Sequence, residues 1–450
     1  MAVVDETWSP GSWRAFEARQ QPGWPDEARL EAARERLRRL PALVFAGEAR
    51  DLRASLAQAA EGRAFLLQAG DCAESFHDSL TITIRERLKI LLQMAAVLTY
   101  GATLPVVKVG RIAGQFTKPR SSPFERVGDE EIPSFRGHMI HDDAPTAEAR
   151  VPDPARMVEG YHQSAATLNL LRAFTKGGYA DLNQVHAWNQ QFVASSHQGV
   201  RYEQLASEIE RALRFMAACG IDLTRSRQLH EVDVYTSHEG LLLDYEEALT
   251  RVDSTTGDWY DCSAHLLWIG ERTNDADGAH VAFMAGINNP IAVKLGPSSS
   301  PDHVVALCEA LNPLRVPGRL TFVSRMGAGR VRELLPPLLE AVRETEHQVL
   351  WVCDPMHGNG RVVGGRKTRH FDDILAEIEG FFLACRSRGV WPGGVHLEFT
   401  GEDVTECLGG SDELGEEHLD ERYMTLCDPR LNARQSLDLA FRIAELMRTP

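Results

Sequence analysis

Eight short apolar runs, each ending in residues that carry chemistry, constrain this chain more than any other feature. LLQAG runs into Asp71-Cys72, and PVVKVG ends at Arg111. VDVYTS leads to His238-Glu239, and HLLWIG stops at Glu271-Arg272. IAVKLG contains Lys294, and LTFVS ends at Arg325. QVLWVC is followed by Asp354 and His357, and GVHLEF carries Glu398. In a closed barrel of eight parallel strands, reactive side chains gather at the strands' C-terminal ends. The pattern predicts an α/β fold, a (β/α)8 TIM barrel, and an enzyme.

The stretches between the runs supply the crossovers. Thr83 to Tyr100, Pro301 to Leu311, Val331 to Glu344 and Phe371 to Arg388 repeat their apolar residues with helical period. A closing helix runs from about Ala433 to Met447, with Asn432 as its N-cap candidate. Strands alternating with helices of this length imply a parallel sheet, and eight of them with no ninth imply a barrel. No internal repeat or low-complexity tract interrupts this order.

Two regions stand apart from the alternation. Residues 1–60 read as a helical N-terminal extension. It opens with Trp8, Trp13 and Trp24, then predicts one helix from Asp26 to Leu40, stopped by Pro41, and another from Ala49 to Ala60. The tryptophans suit packing on the barrel or a subunit contact. Residues 61–450 form the barrel domain, and about 112–230 hold far more chain than one crossover needs. This insertion after strand two begins with a polar loop and a helix from Ala155 to Phe174. After Gly177-Gly178 it continues through Val185-His186-Ala187-Trp188 into a helix from Arg201 to Ala218. A helical hairpin beside the barrel is expected.

Composition narrows the setting. With 43% hydrophobic and 25% charged residues, the 450-residue chain can bury a large core. A formal charge of −16 argues against a nucleic-acid surface, so its cations matter where they cluster. No apolar run reaches the ~18 residues of a membrane span. The N-terminus, with Asp5, Glu6 and Pro10, lacks a signal-peptide pattern. Eight cysteines are too sparse for a disulfide scaffold, and Cys219, Cys308 and Cys385 read as small core residues. A reducing cytoplasm is the expected location.

Arg111, Arg272, Lys294 and Arg325 end different strands, and Lys118, Arg120 and Ser121 follow in KPRS. Cations on one rim repel each other unless something negative sits among them, and a phosphate or carboxylate substrate supplies that charge. Cys72, His357, Glu398 and Asp428 provide one thiol, one imidazole and two carboxylates, a mixed set suited to Mn2+, Co2+, Fe2+ or Zn2+. Glu239 and Glu271 are candidates for acid, base or orienting work, or for holding an arginine in place. The residues alone lead to a metal-assisted reaction of small phosphorylated substrates.

Longer motifs carry a resemblance. QAGDCAESF, VGRIAGQFTKPRSS, IGERT, VKLGPS, SRMGAG, CDPMHGNG, VHLEFTGEDVTECLGG and CDPRLN resemble those of type II 3-deoxy-D-arabino-heptulosonate 7-phosphate (DAHP) synthases. They occur in the family's order, from about Trp8 to the final helix. The resemblance implies the first committed step of the shikimate pathway, in which phosphoenolpyruvate, erythrose 4-phosphate and water give DAHP and phosphate. It implies a divalent metal, Mn2+ or Co2+ before Zn2+ or Fe2+, on Cys72, His357, Glu398 and Asp428. Arg111, Arg272, Lys294 and Arg325 would clamp phosphoenolpyruvate, while Lys118, Arg120 and Ser121 would receive the erythrose 4-phosphate phosphate. Glu239, Glu271 and Lys294 would be the catalytic groups. In the longer members an extension and insertion of this kind make oligomer and regulatory contacts, which implies such contacts for residues 1–60, a homo-oligomer (dimer or tetramer), an aromatic amino acid effector and a chorismate mutase partner.

One segment departs from the family. Where RGDxVNG is common, this chain reads Arg136-Gly137-His138-Met139-Ile140-His141-Asp142. Two imidazoles there either alter aldehyde recognition and pH dependence or reflect neutral drift. Two other assignments remain: a secondary-metabolism paralogue making DAHP or its amino form from an imino sugar, and an inactive partner-binding protein. The complete ligand and cation sets argue against the second.

Overall fold

In the computed structural model, residues 8–78, 80–195, 199–220 and 232–448 are described. The N-terminal residues around Asp5 and Glu6, and positions 221–231 of the insertion, lie outside them.

Eight strands form the core: β1 (Phe65–Gly70), β2 (Val106–Arg111), β3 (Tyr235–Glu239), β4 (Leu266–Ile269), β5 (Ile291–Leu295), β6 (Leu320–Ser324), β7 (Leu350–Cys353) and β8 (Gly394–Glu398). All pair in parallel with their sequence neighbours, and β8 closes on β1. The expected barrel is present. Gly70 lies opposite both Glu398 and Arg111, so the chemistry-bearing ends of β1, β2 and β8 are level.

Side chains alternate along each strand. Phe65, Leu67 and Ala69 of β1 turn out into the core shared with the surrounding helices. Leu66, Gln68 and Gly70 turn inward. The lowest lumen layer, with Leu66, Val107, Leu266 and Leu350, is apolar. Above it Gln68 Nε2 donates to Ser237 Oγ at 2.9 Å, and His396 Nδ1 donates to Gln68 Oε1 at 2.8 Å. The top layer holds the rim residues.

The extension contributes α1 (Glu27–Arg39) and α2 (Ala46–Ala60). Asp26 caps α1 by accepting the Arg29 N–H at 3.0 Å. Leu52, Leu56 and Ala59 of α2 pack onto the apolar lumen layer and seal the barrel floor. The tryptophans pack within the chain. Trp8 Nε1 donates to Ala282 O at 3.1 Å, Trp13 Nε1 to Glu247 Oε2 at 2.9 Å, and Trp24 Nε1 to Asp244 Oδ2 at 3.1 Å.

After α3 (Thr81–Ala102) and β2, the insertion differs in detail from expectation. A small antiparallel hairpin, Phe124–Val127 with Glu130–Pro133, precedes α4 (Ala155–Lys176). Val185 to Trp188 belong to a helix of their own, α5 (Leu182–Ser195), ahead of α6 (Gly199–Ala218). Cys219, expected in the core, is exposed just beyond α6, whereas Cys308 and Cys385 are buried. The remaining helices are α7 (Leu243–Leu249), α8 (Ala279–Gly286), α9 (Pro301–Leu311), α10 (Val331–Glu344), α11 (Phe371–Ser387) and α12 (Ala433–Arg448). Asn432 caps α12: its Oδ1 accepts the Gln435 N–H at 2.8 Å, and the Gln435 side chain accepts the Asn432 N–H at 3.2 Å. No described helix is long and apolar enough to cross a membrane.

Behind β3 lies a buried acidic group. His238 turns out of the barrel and donates to Glu246 Oε1 of α7 at 2.9 Å, and Ser263 N–H donates to Asp261 Oδ1 at 2.9 Å. Burial pushes Glu246 up to about 8 and raises Asp261, with the Glu246 charge adding to the latter. Between the ordinary carboxyl value of 4.5 and about 8, the folded chain keeps a proton that the unfolded chain has lost. Stability therefore falls as pH rises through that window and levels above it. Glu246→Gln mimics the protonated acid. It is expected to raise the melting temperature by several degrees at pH 8 and to change it little at pH 4.5. Thermal melts across that range check this, and a variant matching the wild type at pH 8 refutes it.

Candidate active site

A cavity of about 500 Å3 opens at the C-terminal rim. Its lining includes Arg111, Lys118, Arg120, Ser121, Glu239, Glu271, Arg272, Lys294, Arg325, His357 and Asp428. Cys72 and Glu398 are buried against Lys118, which contacts both. Every candidate from the sequence thus gathers at one end of the barrel.

The four donor candidates converge. Ligand atoms of Cys72, Glu398 and Asp428 lie within 4.8 Å of one another, and His357 Nε2 is 3.0 Å from Glu398 Oε1. Asp354 accepts from His357 Nδ1 at 2.8 Å, which leaves the Nε2 lone pair facing that carboxylate oxygen. Two acceptors so placed suit a cation between them, and a carboxylate behind a ligating imidazole is the usual support. An ammonium already meets the same donors: Lys118 Nζ lies 2.8 Å from Cys72 Sγ, 2.8 Å from Asp428 Oδ2 and 3.3 Å from Glu398 Oε1. The residues fit a divalent metal of the Mn2+, Co2+, Fe2+ or Zn2+ kind.

Electrostatics follow from burial and these contacts. Burial, the neighbouring Cys427 thiol and the Glu398 charge push the Cys72 thiol up. Against their own burial, Glu398 is held well below the usual carboxylate range by the charges of Lys118, Arg369 and Arg111, and Asp428 by Lys118. Burial lowers His357 and keeps its imidazole neutral, as a metal ligand must be.

The cations divide by what already holds them. Arg111 donates to Asp71 O at 2.9 Å, Cys72 O at 3.1 Å and Glu398 Oε1 at 2.9 Å, and it also meets His396. Most of its donors are thus engaged within the protein. Lys294 lies 2.8 Å from Asp354 and is lowered by burial. Arg325 pairs with Glu271 and donates to His357 O at 2.7 Å. Arg120 pairs with Glu125 at 3.0 Å, and Arg272 donates to Ser121 Oγ at 2.5 Å. Glu239 differs from Glu271. It has no ion-pair partner among the described residues, its Oε1 is buried without a hydrogen bond, and burial raises its pKa.

Several contributors were not visible in the sequence. Arg369 holds Glu398 Oε2 at 2.8 Å, and Lys367 lies 3.1 Å from Asp428 Oδ1. Both belong to the segment of a hairpin, Arg361–Val363 with Arg366–Thr368, that overhangs the cavity. Glu74 accepts the backbone N–H groups of Ala113, Gly114 and Gln115 and pins the loop after β2. Gln115 in turn accepts the Glu239 N–H at 2.9 Å. The QAGDCAES motif contains Glu74, but no pattern marked it as a clamp.

The two unexpected histidines line no part of the cavity. His138 is packed between Phe76 and Phe135, and its Nδ1 accepts the Phe76 N–H at 3.1 Å. Its proton therefore sits on Nε2, which faces Asp143 Oδ1 at 3.5 Å. The cluster of His77, His138 and Asp143 has metal-like composition, but this nitrogen is a donor and not a ligand. His141 Nε2 accepts the Arg136 N–H at 3.1 Å, and burial lowers the ring to about 4. Arg136 O accepts the Lys118 N–H at 2.9 Å, so the segment braces the KPRS loop from behind.

Comparison with known proteins agrees with this geometry. The family model described as Class-II DAHP synthetase matches residues 8–444. The chain belongs to the class-II DAHP synthetase family. It is 55% identical over 438 residues to a phospho-2-dehydro-3-deoxyheptonate aldolase of Streptomyces coelicolor, covering 97% of each chain. It is 52% identical over 435 residues to the phospho-2-dehydro-3-deoxyheptonate aldolase AroG of Mycolicibacterium smegmatis, covering 95% of this chain and 92% of the relative. Neither name favours the imino-sugar alternative. A truncated DAHP synthase structure from Thermotoga maritima aligns over 85% of this chain and 87% of its own, at 13% identity and TM-score 0.36, too distant to bear on the site.

Because neither histidine reaches the cavity, His141→Asn is expected to leave the limbs of the pH–rate profile in place over about pH 6 to 8. Initial rates across that range check this. A moved limb refutes the bracing role.

Proposed function

We propose that the cavity condenses phosphoenolpyruvate with erythrose 4-phosphate and water, giving DAHP and phosphate, with Cys72, His357, Glu398 and Asp428 holding Mn2+ or Co2+. The observation that carries this reading is the thiol, imidazole and carboxylate set packed against a cage of cations. A bound divalent metal supplies Lewis-acid polarisation of the aldehyde. Arg272, Lys294 and Arg325, with the remaining Arg111 donor, take the phosphate and carboxylate of phosphoenolpyruvate. Lys118, Arg120 and Ser121 serve the erythrose 4-phosphate side, with Lys118 deepest.

Proton handling follows from the two glutamates. Glu271 is held by Arg325 and orients it. Glu239 has no ion-pair partner among the described residues and is raised by burial, so its carboxylate takes up a proton more readily than an ordinary one. The enol carbon of phosphoenolpyruvate bonds to the aldehyde carbon, water adds to the cationic carbon this leaves, and the bond from that carbon to the phosphate oxygen breaks as phosphate departs. The water loses a proton and the aldehyde oxygen gains one. Glu239 takes the first, and Lys294, an ammonium weakened by burial, supplies the second.

In this reading the extension and the insertion serve self-association, as a dimer or tetramer, and control by an aromatic amino acid, and a chorismate mutase is a further surface partner. A cytoplasmic location suits eight cysteines, all free.

Cys72→Ala is expected to abolish Mn2+-dependent phosphate release while leaving the circular dichroism spectrum unchanged. Full activity in that variant removes Cys72 from the site. Glu239→Gln is expected to lower kcat by about 100-fold or more with KM values near wild type. A Glu271→Gln variant that loses kcat while Glu239→Gln keeps it would reverse the two roles.

A further inference from the structure

A buried acid behind the rim joins two of the loops that carry the site. Glu377 lies on α11 with no solvent exposure, outside the cavity lining. Its Oε1 accepts the Gly327 N–H at 2.8 Å, and its Oε2 accepts from Asn359 Nδ2 at 2.7 Å. Gly327 belongs to the loop after β6, two residues past Arg325, and Asn359 to the loop after β7, two residues past His357. Asn359 carries the link onward. Its Oδ1 accepts the Ala328 N–H at 3.0 Å, and its Nδ2 also donates to Pro355 O at 2.8 Å. The two loop backbones touch as well: a Cβ at Gly358 would stand 2.4 Å from Gly327 N, and Gly327 itself sits at φ 86°. On the cavity side, Arg325 donates to His357 O at 2.7 Å.

We infer that Glu377 is a positioning residue that holds the loops after β6 and β7 as one body, so that Arg325 and His357 are set in place together before any ligand arrives. The inference rests on the proposed function, in which Arg325 meets phosphoenolpyruvate and His357 holds the metal. A buried carboxyl is costly to keep, and it is tolerated where its oxygens find donors. Here each oxygen takes its donor from a different loop. Loops otherwise move more than the strands they leave, and a site that must be ordered on binding loses affinity. Arg325 and His357 serve different ligands, yet one hydrogen-bond network fixes both. Loosening it therefore weakens the metal and phosphoenolpyruvate together. The erythrose 4-phosphate side is spared, because Glu74 separately pins the loop after β2. An amide at position 377 nearly keeps the volume but turns a donor toward N–H groups that need an acceptor.

The test uses the full-length chain with Glu377→Gln, and with Glu377→Gln combined with Asn359→Asp. In the metal-free protein, Glu377→Gln is expected to speed hydrogen exchange in residues 325–330 and 355–360 while β1 and β2 keep their protection. Mn2+ should bind this variant about tenfold more weakly. At saturating Mn2+, KM for phosphoenolpyruvate should rise about tenfold while KM for erythrose 4-phosphate stays within about threefold. The swapped pair restores the bond between positions 377 and 359 with donor and acceptor reversed, and it should recover most of both losses. Loss of one affinity without the other overturns the inference, because the two loops then move separately. Unchanged affinity for both overturns it too, as does a swapped pair that recovers neither. A wild-type enzyme that releases no phosphate from the two substrates overturns the proposed function, and the metal-free exchange comparison still decides whether Glu377 joins the loops.

Discussion

Glu398 is a carboxylate with no solvent exposure, and such a charge is tolerated only when its oxygens are met by cations or donors. Here three segments meet it with cations. Arg111 comes from the end of β2, Lys118 from the following loop and Arg369 from just past the hairpin, while the neutral His357, from the loop after β7, turns its Nε2 lone pair to the same carboxylate. Each of these residues also has a task in the cavity or beside it. Neutralising one buried charge therefore fixes the relative positions of the donor set and the cation cage. More positive than negative groups surround it, and that surplus is what makes the rim ready for anions.

Empty space is arranged as carefully as charge. A Cβ at Gly270 would come within 2.1 Å of Glu239 Oε1, and one at Gly296 within 1.5 Å of Glu271 Oε1. Both glycines directly follow a strand, at the level where a side chain would otherwise fill the lumen. The two acids occupy the room these glycines leave. Gly137 does similar work behind the KPRS loop: at φ 107° its missing Cβ lets the backbone lie against Phe116 O.

The barrel was legible in the sequence because short apolar runs and their abrupt endings are local signals. The site residues on β2, β4, β5, β6 and β8 were legible for the same reason. Arg369 and Lys367 were not, because three-residue strands carry too little pattern and their partners lie far away along the chain. Glu398 is 29 residues beyond Arg369 in sequence but 2.8 Å away in space. Cys219 was misplaced because helical periodicity gives a face and does not say whether a neighbour covers it. From composition alone, the histidines of the departing segment read either as chemistry or as neutral drift. Only their backbone partners revealed neutral, bracing roles.

Sealing of the barrel floor by Leu52, Leu56 and Ala59 governs traffic. Among the described residues the lumen becomes a cup that opens at the mouth beneath the hairpin. Both substrates must enter there, and phosphate and sugar acid must leave the same way. In such a cup whatever binds deepest has to arrive first, since a molecule seated at the mouth blocks the passage below. Sequence of arrival is thus imposed by architecture, before any difference in affinity is considered.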